Sequence, residues 1–319
     1  MSADLPPTGR PGPRGRSVLV TGGAGFVGSH LVDALVDDNE VRVLDDLSNG
    51  SRAAVPDAAT LVAGDVRDPE TVARAAEGVD LVFHLAANVS VERSVAAPVE
   101  SHRVNVDGTL HVLEAAREAG ARVVFASSAA VYGDPPSVPV AESAPKAPSS
   151  PYGAEKLSAD RYLRLYADRY GLETVSLRYF NVYGPGGLDT DYSGVIDVFL
   201  SRAREGRDLP VHGDGTQTRD FVHVADVVRA NLLAAITDAT GAAYNVGTGH
   251  SVTISRLADL VVDATDSPSD VVHTDPREGD VDESEADISR AREILGFEPR
   301  VSLREGLDHL VDDGASPRR

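Results

Sequence analysis

Short runs of apolar residues, many of them β-branched, alternate along the first 180 residues with stretches whose apolar positions recur at helical spacing. The runs predict buried strands, and the stretches between them predict amphipathic helices such as one over 105–119. The predicted strands cover residues 17–21, 41–44, 60–62, 81–87, 123–128 and 174–178. Because strands that alternate with helices form parallel sheets covered on both faces, the pattern predicts an α/β fold with a doubly wound parallel sheet.

The pattern loosens after the turn at 183–186. Helical stretches are separated there by loops rich in glycine and proline, and the predicted helices cover 195–205, 225–237, 254–265 and 302–312. We expect this part to form a smaller lobe, from which 224–247 returns to the main sheet. The predicted division is a disordered tail at 1–15, a sheet domain at 16–180 plus about 224–250, a discontinuous C-terminal lobe at 181–223 plus 251–312, and a tail at 313–319.

The first predicted strand ends in the glycine-rich turn Gly22-Gly23-Ala24-Gly25-Phe26-Val27-Gly28, and a helical pattern follows. A strand, a glycine turn and a helix are the dinucleotide-binding fingerprint of Rossmann-type sheets, here with the spacing G-x-x-G-x-x-G. Glycine allows the backbone to approach a pyrophosphate, and the helix N-terminus supplies amide donors. Asp45 ends the second strand, 17 residues after Gly28. A carboxylate there accepts both ribose hydroxyls and repels a 2′-phosphate, so the sequence predicts NAD rather than NADP.

Tyr152 and Lys156 are four residues apart in a predicted helix that follows a loop rich in proline and serine. Residues at this spacing lie on one helix face, one turn apart. An ammonium beside a phenol favours the phenolate, which is how a tyrosine becomes a general base near neutral pH. The chain has 28 arginines but only two lysines, Lys146 and Lys156. The spacing is also common on exposed helices, so the pair indicates catalysis only together with the other motifs.

The composition narrows the class of protein. The 50 acidic residues against 30 Lys and Arg give a net charge of −20, which argues against nucleic-acid binding. The acid excess and the scarcity of lysine favour adaptation to a high-salt cytoplasm over a merely acidic protein. The chain has no cysteine, which fits a cytoplasmic location, and no run of 18 apolar residues, so we expect no membrane span. The histidines show no metal-ligand spacing, and we predict no metal site.

Five motifs occur together in this chain: Thr21–Gly28, Ser127–Gly133, Tyr152–Lys156, Arg178–Asn181 and Arg219–Val224. They resemble the extended short-chain dehydrogenase/reductase superfamily, and most closely its NAD-dependent nucleotide-sugar 4-epimerases of the UDP-glucose 4-epimerase type. The motifs stand in the family's order, and the resemblance covers about residues 17–310. Five motifs in order are far more specific than a single glycine turn.

The resemblance implies roles for residues at matching positions. Tyr152 would be the base, Lys156 would hold the nicotinamide ribose and favour the phenolate, and Ser128 would hydrogen-bond the reacting sugar hydroxyl. The implied cofactor contacts are Gly22, Gly25, Phe26, Val27, Gly28, Asp45, Asp65, Val66, Leu85, Ala86, Ala87, Asn105, Tyr152, Lys156 and Tyr179. The implied contacts to a nucleotide-diphosphate sugar are Ser128, Tyr152, Asn181, Arg219 and Arg277, the two arginines as a diphosphate clamp. The helices near Asn105 and Tyr152 would form a homodimer interface.

The implied reaction is a 4-epimerisation with captive NAD. The phenolate removes the proton of the sugar 4-hydroxyl while the C4 hydride passes to NAD⁺. The 4-keto sugar then turns over, and the hydride returns to its opposite face. Related 4,6-dehydratases carry Asp and Glu directly after the catalytic strand, and related decarboxylases carry a Glu nearby. Ala129 and Ala130 stand there in this chain, which favours simple epimerisation.

The identity of the sugar stays open at this point. The resemblance implies either the UDP-glucose and UDP-galactose pair or the N-acetylhexosamine pair. In the epimerases the residue seven past the clamp arginine helps to gate pocket size, and the small Ser284 at this position would admit an N-acetyl group. A uronate 4-epimerase, a dehydratase or a reductase on the same scaffold is an alternative. A non-catalytic NAD-binding regulator is a further one, although such proteins commonly lose the tyrosine or the lysine that this chain keeps.

Overall fold

The structure is a computed structural model that describes residues 11–187, 194–277 and 281–315. Its strands are β1 (Ser17–Thr21), β2 (Glu40–Asp45), β3 (Thr60–Ala63), β4 (Leu81–His84), β5 (Arg122–Ser128), β6 (Thr174–Tyr179), β7 (Asn181–Tyr183), β8 (Leu209–His212), β9 (Thr218–His223), β10 (Ala242–Val246), β11 (Ser251–Thr253) and β12 (Val271–Thr274). Seven of them form one sheet in the order β10-β6-β5-β4-β1-β2-β3, and all neighbours in it are parallel. The predicted α/β class with a doubly wound parallel sheet is confirmed.

The α-helices are α1 (Phe26–Leu35), α2 (Pro69–Ala76), α3 (Val91–Ala96), α4 (Pro98–His102), α5 (Gly108–Ala119), α6 (Pro151–Tyr170), α7 (Val195–Arg204), α8 (Val224–Ile236), α9 (Ile254–Thr265) and α10 (Leu303–Ala315). Of these, α1 and α8 cover one face of the seven-stranded sheet, and α2, α5 and α6 cover the other. Val18 and Val20 of β1 pack into one buried cluster with α1 and α8, whereas Leu19 between them packs into another with α2, α5 and α6. Successive residues of a strand point to opposite faces of the sheet. Because every residue of β1 from Val18 to Val20 is apolar, β1 contributes to a buried cluster on each face. None of the described helices is long and apolar enough to cross a membrane.

The second half of the chain builds a smaller region around a separate apolar cluster. Strands β11, β9 and β7 form one small sheet, and β12 pairs with β8 in another. Helices α7, α9 and α10 pack against these strands through residues such as Phe199, Leu257 and Leu307, all nearly inaccessible to solvent. Between these pieces, α8 packs on the main sheet and β10 pairs with β6 at its edge.

Several sequence expectations need correction. The fourth strand ends at His84 and not at residue 87, because Leu85 and Ala86 turn back to hydrogen-bond the end of β1 at Thr21. Helices α3 and α4 were not predicted, since their short segments expose valines that give no amphipathic signal. The helix predicted over 105–119 begins instead with a π-helical turn at Arg103–Asp107. Four strands of the smaller region, β8, β9, β11 and β12, were expected to be loops.

Candidate functional site

A cleft of about 330 Å³ opens at the carboxyl ends of β1, β2, β4 and β5, where ligands bind in doubly wound sheets. The glycine turn after β1 and the acidic side chains after β2 and β3 line one part of it. Ser128 at the end of β5, together with Tyr152 and Lys156 of α6, lines the other. The predicted residues within its lining are Gly22, Gly25, Phe26, Val27, Gly28, Asp45, Asp65, Val66, Leu85, Ala86, Ala87, Ser128, Tyr152, Lys156 and Tyr179.

The glycine turn leaves no room for a side chain at Gly22 or Gly28. A Cβ on Gly28 would lie 2.0 Å from the carbonyl oxygen of Gly22, and a Cβ on Gly22 would lie 2.6 Å from the backbone nitrogen of Ala86. Gly22 also has a φ of +71°, in the region that favours glycine. Helix α1 starts directly after this turn, and its N-cap residue Gly25 offers no side chain to its first amides. Free amides beside a bare backbone cradle fit a pyrophosphate.

Asp45 connects the turn to β2. Its carboxylate accepts hydrogen bonds from the backbone nitrogens of Ala24 (2.9 Å) and Leu47 (2.8 Å), and it is buried. Burial raises the pKa of Asp45, while the two backbone donors oppose that effect. The carboxylate therefore stands in the cleft with its orientation fixed, as binding of a ribose diol requires.

Arg67 is a cation of the cleft that the sequence analysis missed. Its Nε donates to Asp65 at 2.8 Å, and its guanidinium also pairs with Glu100. The hydrogen bond from Arg67 holds the pKa of Asp65 below its ordinary value. Because Asp65 and Glu100 already pair with the guanidinium of Arg67, its positive charge is neutralised and does not attract a 2′-phosphate.

The two helix residues singled out by their spacing, Tyr152 and Lys156, line the same cleft as Ser128. Helix α6 begins at Pro151, where the Ser150 hydroxyl accepts from the backbone nitrogen of Gly153. The Lys156 ammonium is buried, donates to the carbonyl of Ala126 at 2.8 Å and lies 6.0 Å from the centre of the Tyr152 ring. Burial lowers the pKa of Lys156 to about 8, against the opposing charges of Asp160 and Glu155. A cation held this close to a phenol stabilises the phenolate.

Glu155 is a buried carboxylate that sequence reasoning did not single out. It accepts hydrogen bonds from the Ser101 hydroxyl and from the Asn105 amide, both at 2.7 Å. Asn105 in turn accepts from the backbone nitrogen of Asn88 at 2.8 Å and donates to its carbonyl at 2.9 Å. Asn88 lines the cleft, whereas the Asn105 side chain stands behind it. Asn105, expected as a cofactor contact, thus reaches the cleft only through the backbone of Asn88.

We expect Glu155→Gln to lower kcat about tenfold. Both hydrogen bonds end on one oxygen, Oε2, which an amide oxygen can replace, so the effect comes from the lost negative charge beside Lys156. Loss of the negative charge also lowers the pKa of Lys156 further, so the alkaline decline of activity should move to lower pH. A pH profile of kcat measures both effects. Glu118→Gln, on the exposed face of α5, removes the same charge and should leave the profile unchanged; equal profiles for all three proteins would contradict the positioning role.

Of the predicted substrate residues, Ser128 and Tyr152 line this cleft, whereas Asn181, Arg219 and Arg277 lie outside its described lining. Asn181 donates to the carbonyl of Asp220 at 3.2 Å, and Arg219 donates to the carbonyl of Val281 at 2.6 Å. Arg277 is exposed, pairs with Glu92 at 2.7 Å and lines a second, open cavity of about 1100 Å³. The backbone nitrogen of Ser284 donates to the Thr218 hydroxyl at 3.3 Å. Residues 278–280, which follow Arg277 in the predicted clamp loop, are outside the described residues.

His84, the buried histidine at the end of β4, has two hydroxyl partners. The two ring nitrogens of His84 hydrogen-bond the hydroxyls of Thr21 (2.7 Å) and Thr109 (3.0 Å), and burial lowers the pKa of His84 to about 3. A neutral imidazole between two hydroxyls braces β4 against β1 and α5. Within residues 11–187, 194–277 and 281–315, no three His, Asp or Glu side chains come together as a metal site.

Comparison with known proteins places this geometry in context. Residues 18–247 match the model of the NAD dependent epimerase/dehydratase family. A UDP-glucose 4-epimerase of Mycolicibacterium smegmatis is 40% identical over 303 residues, which cover 92% of this chain and 97% of that protein.

Two solved structures are similar over nearly their whole length. A UDP-N-acetylglucosamine 4-epimerase from Methanobrevibacter ruminantium, in complex with UDP-N-acetylmuramic acid, has a TM-score of 0.89 at 38% identity and covers 94% of this chain and 100% of its own. A UDP-glucose 4-epimerase from Thermotoga maritima with UDP-glucose has a TM-score of 0.89 at 39% identity and covers 93% and 97%.

Proposed function

Because this chain belongs to the NAD-dependent epimerase/dehydratase family, we propose that it is a nucleotide-sugar 4-epimerase for the UDP-glucose and UDP-galactose pair or the corresponding N-acetylhexosamine pair. One observation carries the proposal: Ser128, Tyr152 and Lys156 line the same cleft as the glycine turn and Asp45. A base and a dinucleotide cradle in one cleft fit a reaction that begins with oxidation of a sugar hydroxyl. The names of the relatives support the same class.

The residues that would hold NAD are those of the cradle. The backbone of Gly22, Gly25 and Gly28 would receive the pyrophosphate, Asp45 the adenosine ribose, and Lys156 the nicotinamide ribose. NAD, when bound, supplies an acceptor for the hydrogen on the sugar C4 and a donor that returns it. The protein's part is to bind the cofactor and to orient the sugar toward it.

Tyr152 is the proposed base. Its hydroxyl takes the proton of the sugar 4-hydroxyl as phenolate and gives it back at the end of the cycle, so no net proton is consumed. The buried ammonium of Lys156 stabilises the phenolate without leaving the carbonyl of Ala126. Ser128 would hydrogen-bond the same sugar oxygen from the end of β5 and keep it within reach of the phenol.

The turn after Ser128 favours epimerisation over elimination. Ala129 and Ala130 occupy a short 3₁₀ turn there, and Ser128 caps it by accepting from the backbone nitrogen of Ala130 at 3.2 Å. A dehydratase needs an acid and a base at this place to remove the C5 proton and the C6 hydroxyl, and methyl groups supply neither. The proposed reaction therefore stops at inversion of C4.

The two predicted lobes would bind different ligands. We assign NAD to 16–180 with about 224–250, and the sugar nucleotide to 181–223 with 251–312, where Asn181, Arg219 and Arg277 would hold it. The described lining of the cleft supports this, since it runs from Gly22 to Phe180 and includes only Val182 from the other lobe. The absence of cysteine supports a cytoplasmic location.

Asp45→Asn should change the cofactor preference. The amide keeps the size of the side chain but loses the charge that repels a 2′-phosphate, so the ratio of NADPH to NADH affinity should rise about tenfold. Fluorescence titration with both reduced cofactors measures the ratio. The control is Asp46→Asn, which removes the same charge from the exposed neighbouring residue and should change the affinity ratio less. An unchanged ratio in Asp45→Asn would show that another group recognises the adenosine ribose.

We expect the protein to be a homodimer through the helices near Asn105 and Tyr152, which are α5 and α6, together with the neighbouring α3 and α4. These helices pack against one another and expose Val95 (62%), Val99 (67%) and Leu165 (48%), an unusual set for a monomer so rich in acids. Sedimentation velocity should give the mass of a dimer for the native chain and of a monomer for Leu165→Asp. An identical monomeric mass for both would contradict this interface.

The decisive test mixes the purified protein, in molar KCl and without added NAD, with UDP-glucose, UDP-galactose, their N-acetyl counterparts and the two uronates. Separation of the sugars after incubation shows which pairs interconvert. Interconversion of a hexose or N-acetylhexosamine pair supports a 4-epimerase with captive cofactor, and the rates rank the sugars. Conversion of uronates alone, or none at all while NAD is retained, would overturn the proposal.

A further inference from the structure

A separate open cleft, of about 210 Å³, lies at the far edge of the main sheet between α6 and the strands β6 and β10. It shares no lining residue with the cleft that holds Tyr152. Five of its lining side chains are cationic and two are acidic. The chain has a net charge of −20, so a cleft lined by more cations than acids is unexpected and indicates a binding role.

Two of the five cations are already neutralised. Arg178 is buried and pairs with Asp160 at 2.6 Å, and Arg164 pairs with Asp168 at 3.0 Å. The other acid of the cleft, Glu142, points to the backbone of β10, where it accepts from the nitrogen of Asn245 at 2.8 Å. The acidic side chains at this place are therefore committed.

The remaining three cations have no carboxylate partner in the described parts of the chain. Lys146 donates only to backbone carbonyls, among them that of Ala144 at 2.6 Å, and its ammonium lies 5.3 Å from the centre of the Tyr132 ring. Arg290 lies over the ring of Tyr244 at 5.2 Å. Arg161 stands on the exposed face of α6 at the rim. Three positive charges thus face one small volume without an ion-pair partner of their own in the described chain, while Asp160 and Glu142 act on Lys146 from a greater distance.

The charges act on one another. Burial lowers the pKa of Lys146 to about 8, and the nearby charges of Arg178 and Arg161 contribute to that shift. Like charges are held together at a cost that a bound anion would relieve. Guanidinium groups match the oxygens of a phosphate, and the backbone and hydroxyl groups of Thr174 and Ser176 make the floor polar. The cleft, at about 210 Å³, is smaller than the catalytic cleft of about 330 Å³, which favours a ligand smaller than a dinucleotide.

We propose that this cleft binds a small dianion that carries a phosphate group, either inorganic phosphate or a low-molecular-weight phosphate monoester, with Lys146, Arg161 and Arg290 supplying the positive charge. Nothing in this assignment depends on epimerisation, because the cleft and the proposed catalytic cleft have separate walls.

The test is calorimetric titration of the whole protein with inorganic phosphate and, separately, with a hexose phosphate, at constant ionic strength in KCl. We expect one saturable site in the native chain and an affinity about tenfold weaker in Arg161→Ala and in Arg290→Ala. Both side chains are exposed, so thermal melting should show that the variants stay folded. Arg256→Ala, which removes an exposed arginine of α9, is the matched control and should bind like the native chain.

The titrations distinguish inorganic phosphate from a phosphate monoester as the ligand, and this cleft from the sugar-nucleotide site as the place of binding. Equal affinity for both ligands means that the phosphate group alone is recognised, and tighter binding of the ester means that a metabolite is. An absence of saturable binding in the native chain would overturn the proposal. So would binding that survives in Arg161→Ala and Arg290→Ala but is lost in Arg277→Ala, since the phosphate would then occupy the sugar-nucleotide site. Because the readout is binding, failure here is independent of failure in the sugar interconversion assay.

Discussion

Tyr152→Phe is expected to lower kcat about a thousandfold, because proton transfer by a positioned side chain typically contributes between about 10² and 10⁴ to a rate. The change removes one oxygen and keeps the ring, which is only 8% exposed. The backbone nitrogen of Tyr152 still donates to the Ser94 hydroxyl at 3.2 Å, so α6 begins as before. NAD should remain bound, which absorbance of the denatured and extracted protein measures, while turnover of the UDP-sugar is nearly lost.

Tyr162→Phe is the matched control, since it removes the same atom from the same helix on a half-exposed face. Its kcat should equal that of the native chain. A Tyr152→Phe variant that retains more than about a tenth of the native rate would place the base on another residue, and the general acid–base scheme would fail with it.

Lys156→Met should separate activity from stability. We expect kcat to fall at least about a hundredfold, because the phenolate loses its neighbouring cation and the nicotinamide ribose loses a donor. The free energy of unfolding at pH 7 should rise by about 1–2 kcal/mol. Lowering the pKa of the lysine from 10.5 to about 8 corresponds to about 3 kcal/mol of destabilisation of the charged form. The variant also loses the hydrogen bond from Lys156 to the carbonyl of Ala126, which lowers the free energy of unfolding by about 1 kcal/mol and so reduces the net gain.

The pH dependence follows from the same shift. Below pH 8 the lysine is protonated in the folded and the unfolded chain, so the whole cost of burying its charge is present. Between about pH 8 and 10.5 the folded chain releases its proton first, and the native protein gains stability as pH rises. The advantage of Lys156→Met should therefore shrink over that interval. Urea denaturation at pH 7 and pH 10 measures it, and a variant that is less stable at pH 7 would contradict the argument.

The parts of the site that depend on short stretches of chain could be predicted from the sequence. The glycine turn follows a β-branched run and precedes a helical pattern, so its place at the end of β1 is fixed by local chemistry. Asp45 could be placed for the same reason, because it ends the next strand. The Tyr152 and Lys156 pair needs only the helical repeat.

The parts that depend on distant contacts could not be predicted. Glu155 meets Ser101 across 54 residues of sequence, and no periodicity indicates which buried carboxylate will find which hydroxyl. Arg67 lies in a turn whose composition is that of any surface loop, and its role comes from Asp65 and Glu100 together. The short strands of the smaller region are three to six residues long, and their pairing partners lie far along the chain, so local pattern gives them no signal.

The late return of β10 to the main sheet sets the order in which a ribosome can complete this protein. Strand β6 has been synthesised by Tyr179, but its outer neighbour arrives only at Ala242–Val246, after the whole of β7–β9 and α8. Until then the nascent chain carries a parallel strand with one unpaired edge, which can pair with other chains. The main sheet therefore cannot be completed until much of the smaller region has been synthesised, because that region lies between β6 and β10 in the chain. Any fragment cut at the boundary near residue 180 would therefore inherit that open edge, and co-expression of the two pieces would be required to close it.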